Sequence, residues 1–376
     1  MDLNQYKSGS YKQQFKYKSF MPSIINHDWE INDGNLSLLL SQADNKLGEL
    51  NAFSQLIPDV DFFIKMHVNK EATSSSRIEG TQTNIEEALQ KIEYIDPEKK
   101  DDWEEVQNYI KAMNSAVEAL NKLPVSGRLL KDTHKILLQG VRGKHKQPGE
   151  YRKSQNWIGG ASISDAVFIP PPYEVVPDLM SDLEYFLNDE NFPIPLLVKI
   201  AIAHYQFETI HPFLDGNGRL GRLLITLYLV SQQLLVKPTL YLSVFFEKHK
   251  TLYYDNLTRV RTHDDITQWI KFFLEGVRQT SENSIQTFKS IITLRSQCEN
   301  KILTLGKKTK LAQNFLHYLY RQPIVDSKDV GEAFSISLPA VLRLIDDFIR
   351  LGILVEITGY KRNRVFLFSE YVKLFE

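Results

Sequence analysis

The chain has 376 residues, more than one hydrophobic core usually holds, so two or three domains are expected. Its 45 Lys and Arg residues are balanced by 46 Asp and Glu residues, which excludes a general attraction to nucleic acid or anionic membranes. A single cysteine, Cys298, excludes an internal disulfide and a multi-cysteine metal site. The sequence carries neither a long apolar run nor a signal-peptide pattern, which predicts a cytoplasmic protein without a membrane span.

Helical patterns dominate the first third of the chain. Residues 1–35 are polar and aromatic without a clear period, and we expect them to lie over the surface as an extended arm. Apolar residues then recur at helical spacing in residues 36–53, 60–79, 85–95, 103–123 and 127–138. The charged residues 96–102 predict a loop within this series.

Glu79 lies in the last turn of the second predicted helix, which ends at Gly80 and is followed by a capping box from Thr83 to Glu86. A carboxylate in a last turn opposes the helix macrodipole and costs about 0.3–1 kcal/mol unless a cation compensates. Arg77 is too close in sequence to face it. We therefore expect a basic partner from elsewhere in the chain, with a solvated glutamate at a frayed helix end as the alternative.

Residues 157–169 have the pattern of a β-hairpin. Two short apolar segments flank a turn region that contains Gly-Gly and Ser-Asp pairs. A surface hairpin without a ligand is the simplest interpretation of this segment taken alone.

The polar segment HPFLDGNGRLGR at residues 211–222 joins two strongly apolar helical stretches, 195–207 and 217–230. Its glycines and asparagine open the second helix, where unpaired amides and the positive end of the macrodipole favour an anion. Arg219 and Arg222 lie three residues apart, on one face of that helix. The segment therefore predicts a polyphosphate site.

Two other interpretations of this segment fail. Residues 216–221 have the glycine spacing of a dinucleotide-binding loop, but that loop follows a strand, and here a helix precedes it. Residues 215–217 begin like a calcium loop, but Arg219 and Leu220 stand where an oxygen ligand and the turn glycine belong.

Residues 211–222 match the motif HPFx(D/E)GNGRxxR without a gap, so the chain resembles the Fic family over about residues 75–269. The resemblance implies a mainly α fold, with a helical Fic core and a β-hairpin flap. Fic proteins typically transfer AMP from ATP to a hydroxyl group of a target protein. The implied partner is thus a protein with an exposed Ser, Thr or Tyr, and modification of the enzyme itself stays open.

The resemblance gives each residue of the motif a role. His211 would take the proton of the attacking hydroxyl as catalytic base, and Asp215 would hold Mg²⁺ against the phosphates. The nucleotide-binding residues lie in the same segment, apart from one aromatic residue expected beside the adenine: Gly216, Asn217, Gly218, Arg219, Leu220, Gly221, Arg222 and Tyr254. Family members that transfer phosphate carry Lys after the Asn, so Gly218 favours transfer of AMP.

Residues 75–80 resemble the inhibitory pattern (S/T)xxxE(G/N) of the family, with Ser75 and Glu79 in the fixed positions. By resemblance, Glu79 forms a bidentate pair with Arg222, the arginine that otherwise binds the γ-phosphate. The enzyme would then be autoinhibited. A hydrolase in which Glu79 positions water for removal of AMP is the alternative.

The same resemblance makes residues 157–169 a flap that aligns the target. Val167, Phe168 and Ile169 would pair with an extended target segment through their main chain. Since strand pairing tolerates many side chains, the target itself cannot be read from the sequence.

The C-terminal part predicts a separate domain. A long helix over residues 268–305 leads to helices at 311–320, 327–334 and 337–352 and to strands at 353–357 and 364–368. Three helices followed by a hairpin resemble a winged helix-turn-helix.

DNA binding by this domain is an alternative that we do not favour. Lys361, Arg362 and Arg364 would charge the wing, but Asp346 and Asp347 lie on the proposed recognition helix. Protein interaction or a homodimer interface fits the composition better, and a DNA-binding regulator with a Fic nucleotide sensor stays open.

The predicted domain boundaries follow from these features. They are an N-terminal helical region with the inhibitory helix, the Fic core, a linker helix and the winged-helix-like domain: residues 1–95, 96–280, 281–309 and 310–376.

Overall fold

The computed structural model describes residues 2–56, 60–140, 145–191, 194–359 and 363–375. Over these ranges the protein is mainly helical with two small antiparallel sheets, which confirms the predicted fold class. The helices, in chain order, are α1 (Gly34–Leu56), α2 (Val60–Ile78), α3 (Ile85–Leu89), α4 (Lys100–Ala119), α5 (Gly127–Leu137), α6 (Val176–Asn188), α7 (Leu196–Ile210), α8 (Asn217–Ser231), α9 (Ser243–Lys248), α10 (Lys250–His263), α11 (Ile266–Leu303), α12 (Thr309–Arg321), α13 (Ser327–Phe334), α14 (Leu338–Arg350) and α15 (Ser369–Val372).

The N-terminal arm lies over the core as extended backbone, as predicted, but it also forms a hairpin and buries several side chains. Strands β1 (Gly9–Gln13) and β2 (Lys18–Pro22) pair antiparallel. Phe20, Ile25 and Trp29 are buried, because this segment covers apolar surface of the core.

Main-chain and side-chain hydrogen bonds fix the arm at several points. Asp264, which ends α10 in a left-handed conformation, accepts from the amide and the hydroxyl of Ser8 at 2.8 Å each. Asp182 of α6 accepts from the amide of Ile25 at 2.8 Å. The arm is therefore part of the folded domain.

Several predicted helix boundaries shift. Helix α3 ends at Leu89 instead of residue 95, and two short 3₁₀ turns, Ile92–Tyr94 and Pro97–Lys99, follow it. Helix α4 begins at Lys100, inside the predicted charged loop. Helix α6 is absent from the sequence prediction, although its buried residues repeat at helical spacing.

Two central helices, α7 and α8, are buried on nearly every side. The 38-residue helix α11 packs along α1 and also against α7 and α10. Helix α2 packs between α4, α8 and α9, so the end of the predicted inhibitory helix faces the start of α8.

The C-terminal region contains α12 to α15 and a three-stranded antiparallel sheet. Its strands are β3 (Ile324–Asp326), β4 (Val355–Glu356) and β5 (Val365–Leu367), in the order β3-β5-β4. Strand β3 is absent from the sequence prediction. The winged helix-turn-helix interpretation and the four domain boundaries stay predictions.

Of the three basic residues proposed for the wing, Arg364 lies within the described residues. Lys361 and Arg362 lie outside the described residues, and Arg364 pairs with Glu356 at 2.8 Å. Asp347 is buried and bonded to Lys308 at 2.6 Å, whereas Asp346 is exposed on α14.

Among the described residues, the structure contains no helix with the length and apolar character needed to span a membrane.

Candidate functional site

His211 follows the last residue of α7 and caps that helix in a left-handed conformation, with φ 51° and ψ 59°. Its amide donates to the carbonyl of Phe207 at 2.9 Å. The imidazole is partly exposed, and the burial of its surroundings lowers its pKa to about 4. His211 is therefore neutral at pH 7 and can accept a proton.

Asn217 shapes the loop between α7 and α8. Its side-chain oxygen accepts from the amide of Phe213 at 2.9 Å, and its side-chain nitrogen donates to the carbonyl of the same residue at 2.9 Å. Both polar groups of the amide are thus used within the loop. Asn217 supports the predicted anion cradle by fixing its backbone.

The buried His134 of α5 also holds this loop in place through hydrogen bonds. Its Nδ1 accepts from the amide of Gly149 at 2.9 Å, so Nε2 carries the proton and donates to the carbonyl of Asp215 at 3.0 Å. The ring stacks on Phe213 with a centroid distance of 3.8 Å. Burial lowers the pKa of His134 to about 4, which keeps this tautomer uncharged.

Helix α8 begins directly after this loop. Gly216 has φ 74°, which a residue with a side chain rarely adopts, and it turns the chain into the helix. The N-cap residue Gly216 provides no side-chain cap, and amides at an uncapped helix start favour an anion. The cradle from Gly216 to Gly218 stays a prediction, and the amide of Gly216 itself donates to the Asp215 carboxylate. Leu220 is fully buried, and only its backbone could contribute.

Asp215 and Arg219 lie at the mouth of the loop. Arg219 is buried and pairs with Glu105 of α4 at 2.9 Å, and it lies 3.8 Å from Asp215. The Asp215 carboxylate is 45% exposed and accepts from the amide of Gly216 at 2.6 Å. One accessible carboxylate fits Mg²⁺ that takes its other ligands from phosphate and water.

The described residues contain no cluster of three or more His, Cys, Asp or Glu that could hold a metal ion without such help.

Glu79 and Arg222, predicted to pair, lie in contact across α2 and α8. One guanidinium nitrogen of Arg222 lies 2.6 Å from Glu79 Oε1. Ser75 also holds Arg222, because its hydroxyl accepts from Nε and its carbonyl accepts from the same terminal nitrogen that bonds Glu79, at 2.9 Å each. The pair is thus made through one carboxylate oxygen, and the bidentate form predicted from the sequence is wrong in this detail.

The electrostatics of the pair favour the charged forms. Burial alone would lower the pKa of Arg222 and raise that of Glu79, but the attraction between the two charges outweighs burial in both residues. The pKa of Arg222 is therefore raised and that of Glu79 is lowered. Two of the three guanidinium nitrogens of Arg222 bond to Ser75 and Glu79 in this conformation.

Two glycines of α8 allow carboxylates to approach its first turns. A β-carbon at Gly218 would lie 2.2 Å from Glu79 Oε1, and one at Gly221 would lie 2.3 Å from Glu208 Oε1. Glu208 is buried, and burial raises its pKa to about 7. These contacts explain why glycine, which has no β-carbon, occupies both positions.

Tyr253 and Tyr254 have different environments on α10. Tyr253 is buried and its hydroxyl lies 2.9 Å from Nε2 of His204, whose Nδ1 contacts the carbonyl of Gly221 at 2.9 Å. Tyr254 is 39% exposed. Its pKa is raised by burial and also by the Glu79 charge. Of the two, Tyr254 is the one that could meet a ligand.

The predicted flap is reduced to a single antiparallel bridge between Ile158 and Phe168, with hydrogen bonds of 2.8 and 3.1 Å. Val167 is exposed, but Phe168 and Ile169 are buried. The carbonyl of Ile169 accepts from the amide of Phe20 at 2.9 Å. Of the three proposed target-binding residues, only Val167 has a side chain in solvent.

Sequence reasoning missed residues that act on the site through tertiary contacts. They are separated from the motif by up to about a hundred residues and include Glu105, His134, Arg152, Asn156 and Glu208. Only Glu208 was within reach of local reasoning, since a glutamate three residues before His211 in an apolar helix is unusual.

Two family models match this chain. One describes the Fic/DOC family N-terminal region and matches residues 37–118, and the other describes the Fic/DOC family and matches residues 124–229.

Curated relatives with similar sequences are protein adenylyltransferases. A probable protein adenylyltransferase of Aquifex aeolicus (strain VF5) is 34% identical over 177 residues, which are 43% of this chain and 53% of that protein. The protein adenylyltransferase Fic of Culex quinquefasciatus is 34% identical over 134 residues, 35% of this chain and 24% of that protein. The chain thus spans about half of the first relative's length and about a quarter of the second's.

A solved structure with a similar fold is a Fic family protein from Desulfovibrio desulfuricans G20. Its TM-score is 0.56 at 22% identity, and the match covers 89% of this chain and 96% of that chain. This likeness shows the fold.

Proposed function

The chain belongs to the Fic/DOC family, and on that premise we propose that it is a protein adenylyltransferase that transfers AMP from ATP to a hydroxyl group of a target protein. The observation that carries the proposal is the arrangement of residues 211–217. A neutral histidine and the uncapped amides of a helix N-terminus meet in one loop, and tertiary hydrogen bonds hold that loop in place.

In the proposed reaction, the triphosphate lies against the first turn of α8. The target hydroxyl oxygen forms a bond to the α-phosphorus, and the bond from that phosphorus to the bridging oxygen of pyrophosphate breaks. His211 accepts the hydroxyl proton. Asp215 would hold Mg²⁺, which neutralises charge on the phosphates, and Tyr254 would border the base.

The free protein is in the inhibited state. Because Nε and one terminal nitrogen of Arg222 bond to Ser75 and Glu79, the arginine cannot grip a γ-phosphate with both terminal nitrogens at the same time. ATP would then bind without its α-phosphate in line with the target hydroxyl. Release of Glu79 from Arg222 is the activating step.

The identity of the transferred group is tested with ATP labelled at either the α- or the γ-phosphate, supplied with Mg²⁺ and a cell extract to Glu79→Gly protein. Label from the α-phosphate but not the γ-phosphate should enter protein. Transfer of γ-label would show phosphorylation instead. Loss of α-label from previously modified protein, dependent on an intact Glu79, would show the hydrolase.

A further inference from the structure

His211 occupies a backbone conformation that residues with a side chain avoid. Its φ of 51° places it in the left-handed region, where the β-carbon is crowded. Such a conformation persists only where the surroundings enforce it. The residues that contact the main chain of His211 therefore decide where its imidazole points.

Arg152 is the strongest of these contacts. Its side chain is 2% exposed, and its Nε donates to the carbonyl of His211 at 3.0 Å. Another guanidinium nitrogen donates to the carbonyls of Pro171 at 2.5 Å and Ile210 at 3.3 Å. The third nitrogen donates to the carbonyl of Ser154 at 3.4 Å.

All four acceptors are neutral carbonyls, so no carboxylate bonds directly to the guanidinium, although the Glu174 charge is near enough to oppose the lowering of its pKa by burial. A buried charge whose hydrogen bonds all go to neutral groups is costly, and nonpolar packing would be the cheaper way to fill this space. Burial lowers the pKa of Arg152 to about 10, so the charge remains at neutral pH. We therefore attribute the role of Arg152 to the directions of its hydrogen bonds and not to its charge.

Asn156 adds a second donor from the same segment. Its side-chain nitrogen donates to the carbonyl of Phe213 at 2.9 Å and to that of His211 at 3.3 Å. The amide of Arg152 also donates to the carbonyl of Pro212 at 2.9 Å. Residues 152–156 precede the flap and Pro171 follows it, so these bonds join both ends of the flap to the catalytic loop.

We propose that Arg152, assisted by Asn156, is a positioning residue that holds His211 in its left-handed conformation and fixes it relative to both ends of the flap. This inference rests on the proposed function, because it assigns His211 the role of base and the flap the role of target guide. A target segment that pairs with the flap would then lie at a fixed position relative to His211.

Lysine cannot replace this arrangement. A guanidinium has five N–H donors in a planar fork and reaches carbonyls in several directions at once, whereas an ammonium has three donors around one atom. Arg152→Lys keeps the charge but loses most of the bonds. It therefore separates the geometry of the side chain from its charge.

The test places Arg152→Lys, Asn156→Ala and a control in Glu79→Gly protein. The control, Lys199→Met, removes another buried cation that donates to a carbonyl, that of Asp189, at 2.6 Å. The measurements are the initial rate of label transfer from α-labelled ATP into one fixed cell extract, the KM for ATP and the number of ATP molecules bound per chain.

We expect Arg152→Lys to lower the rate at saturating ATP by about 10-fold or more, with an unchanged KM for ATP and full ATP stoichiometry, because the base is misplaced. Asn156→Ala should lower it a few-fold. Lys199→Met should lower the melting temperature and leave the rate unchanged. Full transfer by Arg152→Lys with normal ATP binding overturns the proposal. If Arg152→Lys does not bind ATP, Asn156→Ala decides, and full transfer by that variant overturns the proposal.

A crystal structure of Arg152→Lys provides a readout that does not need activity. His211 should leave the left-handed region in that variant, and a retained left-handed His211 contradicts the proposal. If Glu79→Gly protein alone transfers no label, the proposed function fails, and the crystal structure still decides the role of Arg152.

Discussion

At the residue scale, the candidate site is built from side chains whose surroundings set their charge. His211 is held neutral by burial, while Arg222 and Glu79 hold each other charged. In the proposed function the base is thus ready at neutral pH, and the arginine proposed to bind phosphate is not. The proposed inhibition would act on substrate geometry and leave the base intact.

The pH dependence of transfer follows from His211. The neutral imidazole is the active form, so activity is present above its pKa and lost as the pH falls through it; burial places that pKa at about 4 rather than 6.5. The Glu79 carboxylate raises the pKa of His211, so its removal in Glu79→Gly protein lowers that pKa further. The transfer rate should therefore stay level from pH 8 to about 5.5.

The measurement is the rate at saturating ATP across that range, with circular dichroism at each pH to confirm that the protein is folded. A fall in rate with a midpoint at pH 6.5 or higher, in protein that stays folded, contradicts the assignment.

Ser75 should also contribute to inhibition. Its hydroxyl accepts a buried hydrogen bond from Arg222, and bonds to charged groups contribute about 1.5–3 kcal/mol. Ser75→Ala should loosen Arg222 and raise basal transfer several-fold, by less than Glu79→Gly does. The neighbouring Ser76 is buried, and its hydroxyl has no hydrogen-bond partner in the described structure, so Ser76→Ala is the matched control. Equal effects of the two substitutions on transfer from α-labelled ATP would refute this role.

The sequence predicted His211, Asp215, Arg222 and Glu79 because their positions follow a linear motif. It did not predict Glu105 or Arg152, since a lone Glu or Arg in a helix or loop carries no local sign of its partner. The ion pair of Arg219 with Glu105 joins residues 114 positions apart, so no local sequence pattern could indicate it.

At the element scale, α2 and α7 pack closely against α8, and the proposed inhibition depends on the contact between α2 and α8. Glycine at two positions of α8 lets a carboxylate from each neighbouring helix lie directly on the helix surface. Because these helices are buried, the approach is set by packing and leaves little room for additional atoms.

Gly221→Ala should destabilise the fold. The new β-carbon would lie 2.3 Å from Glu208 Oε1 and 3.0 Å from a ring carbon of Phe207, and such overpacking costs about 1–3 kcal/mol. Gly48→Ala on α1 is the matched control, because nothing lies within 4 Å of its β-carbon and alanine favours a helix by about 0.5–1 kcal/mol. Thermal unfolding should show a lower melting temperature for the first and a higher one for the second. A melting temperature of Gly221→Ala at or above the parent's contradicts the close packing.

Most helices were predictable because their apolar residues repeat every three to four positions over several turns. Helix α6 has the same signal and was within reach of the sequence. Strand β3 was not, because three buried residues, Ile324–Asp326, are too few to show a period. The flap was predicted as a hairpin, but it keeps one bridge because the buried Phe168 and Ile169 pack against the N-terminal arm.

At the scale of the whole molecule, the C-terminal region contacts α2, the helix proposed to be inhibitory. Lys65 of α2 donates to the carbonyl of Arg321, and Phe63 packs edge-on against Tyr320 at 6.0 Å. Lys91 pairs with Asp326 at 2.9 Å and with Asp329 at 2.6 Å. The composition of the chain predicted a second folded region, but its placement on α2 depends on tertiary contacts that no local pattern reports.

The C-terminal region should not bind DNA specifically. The exposed face of α14 carries the apolar Leu338 and Leu342, 58% and 40% exposed, and Asp346 beside Arg343 and Arg350, so it mixes apolar, acidic and basic side chains and is not the basic face that phosphates favour. Affinity for a mixed duplex at 150 mM salt should be no tighter than the nonspecific range of about 10⁻⁴–10⁻⁶ M. Nanomolar binding that disappears when Lys361, Arg362 and Arg364 are neutralised would favour the DNA-binding regulator.

The most direct test of an autoinhibited adenylyltransferase is label transfer from α-labelled ATP with Mg²⁺, in the parent protein, Glu79→Gly and the double variant Glu79→Gly/His211→Ala. Glu118→Gly, at an exposed glutamate of α4, controls for the substitution. Transfer should rise at least 10-fold in Glu79→Gly alone and vanish in the double variant, which should still bind ATP. Equal labelling by the parent and Glu79→Gly would contradict autoinhibition, and labelling by the double variant would remove His211 as the base.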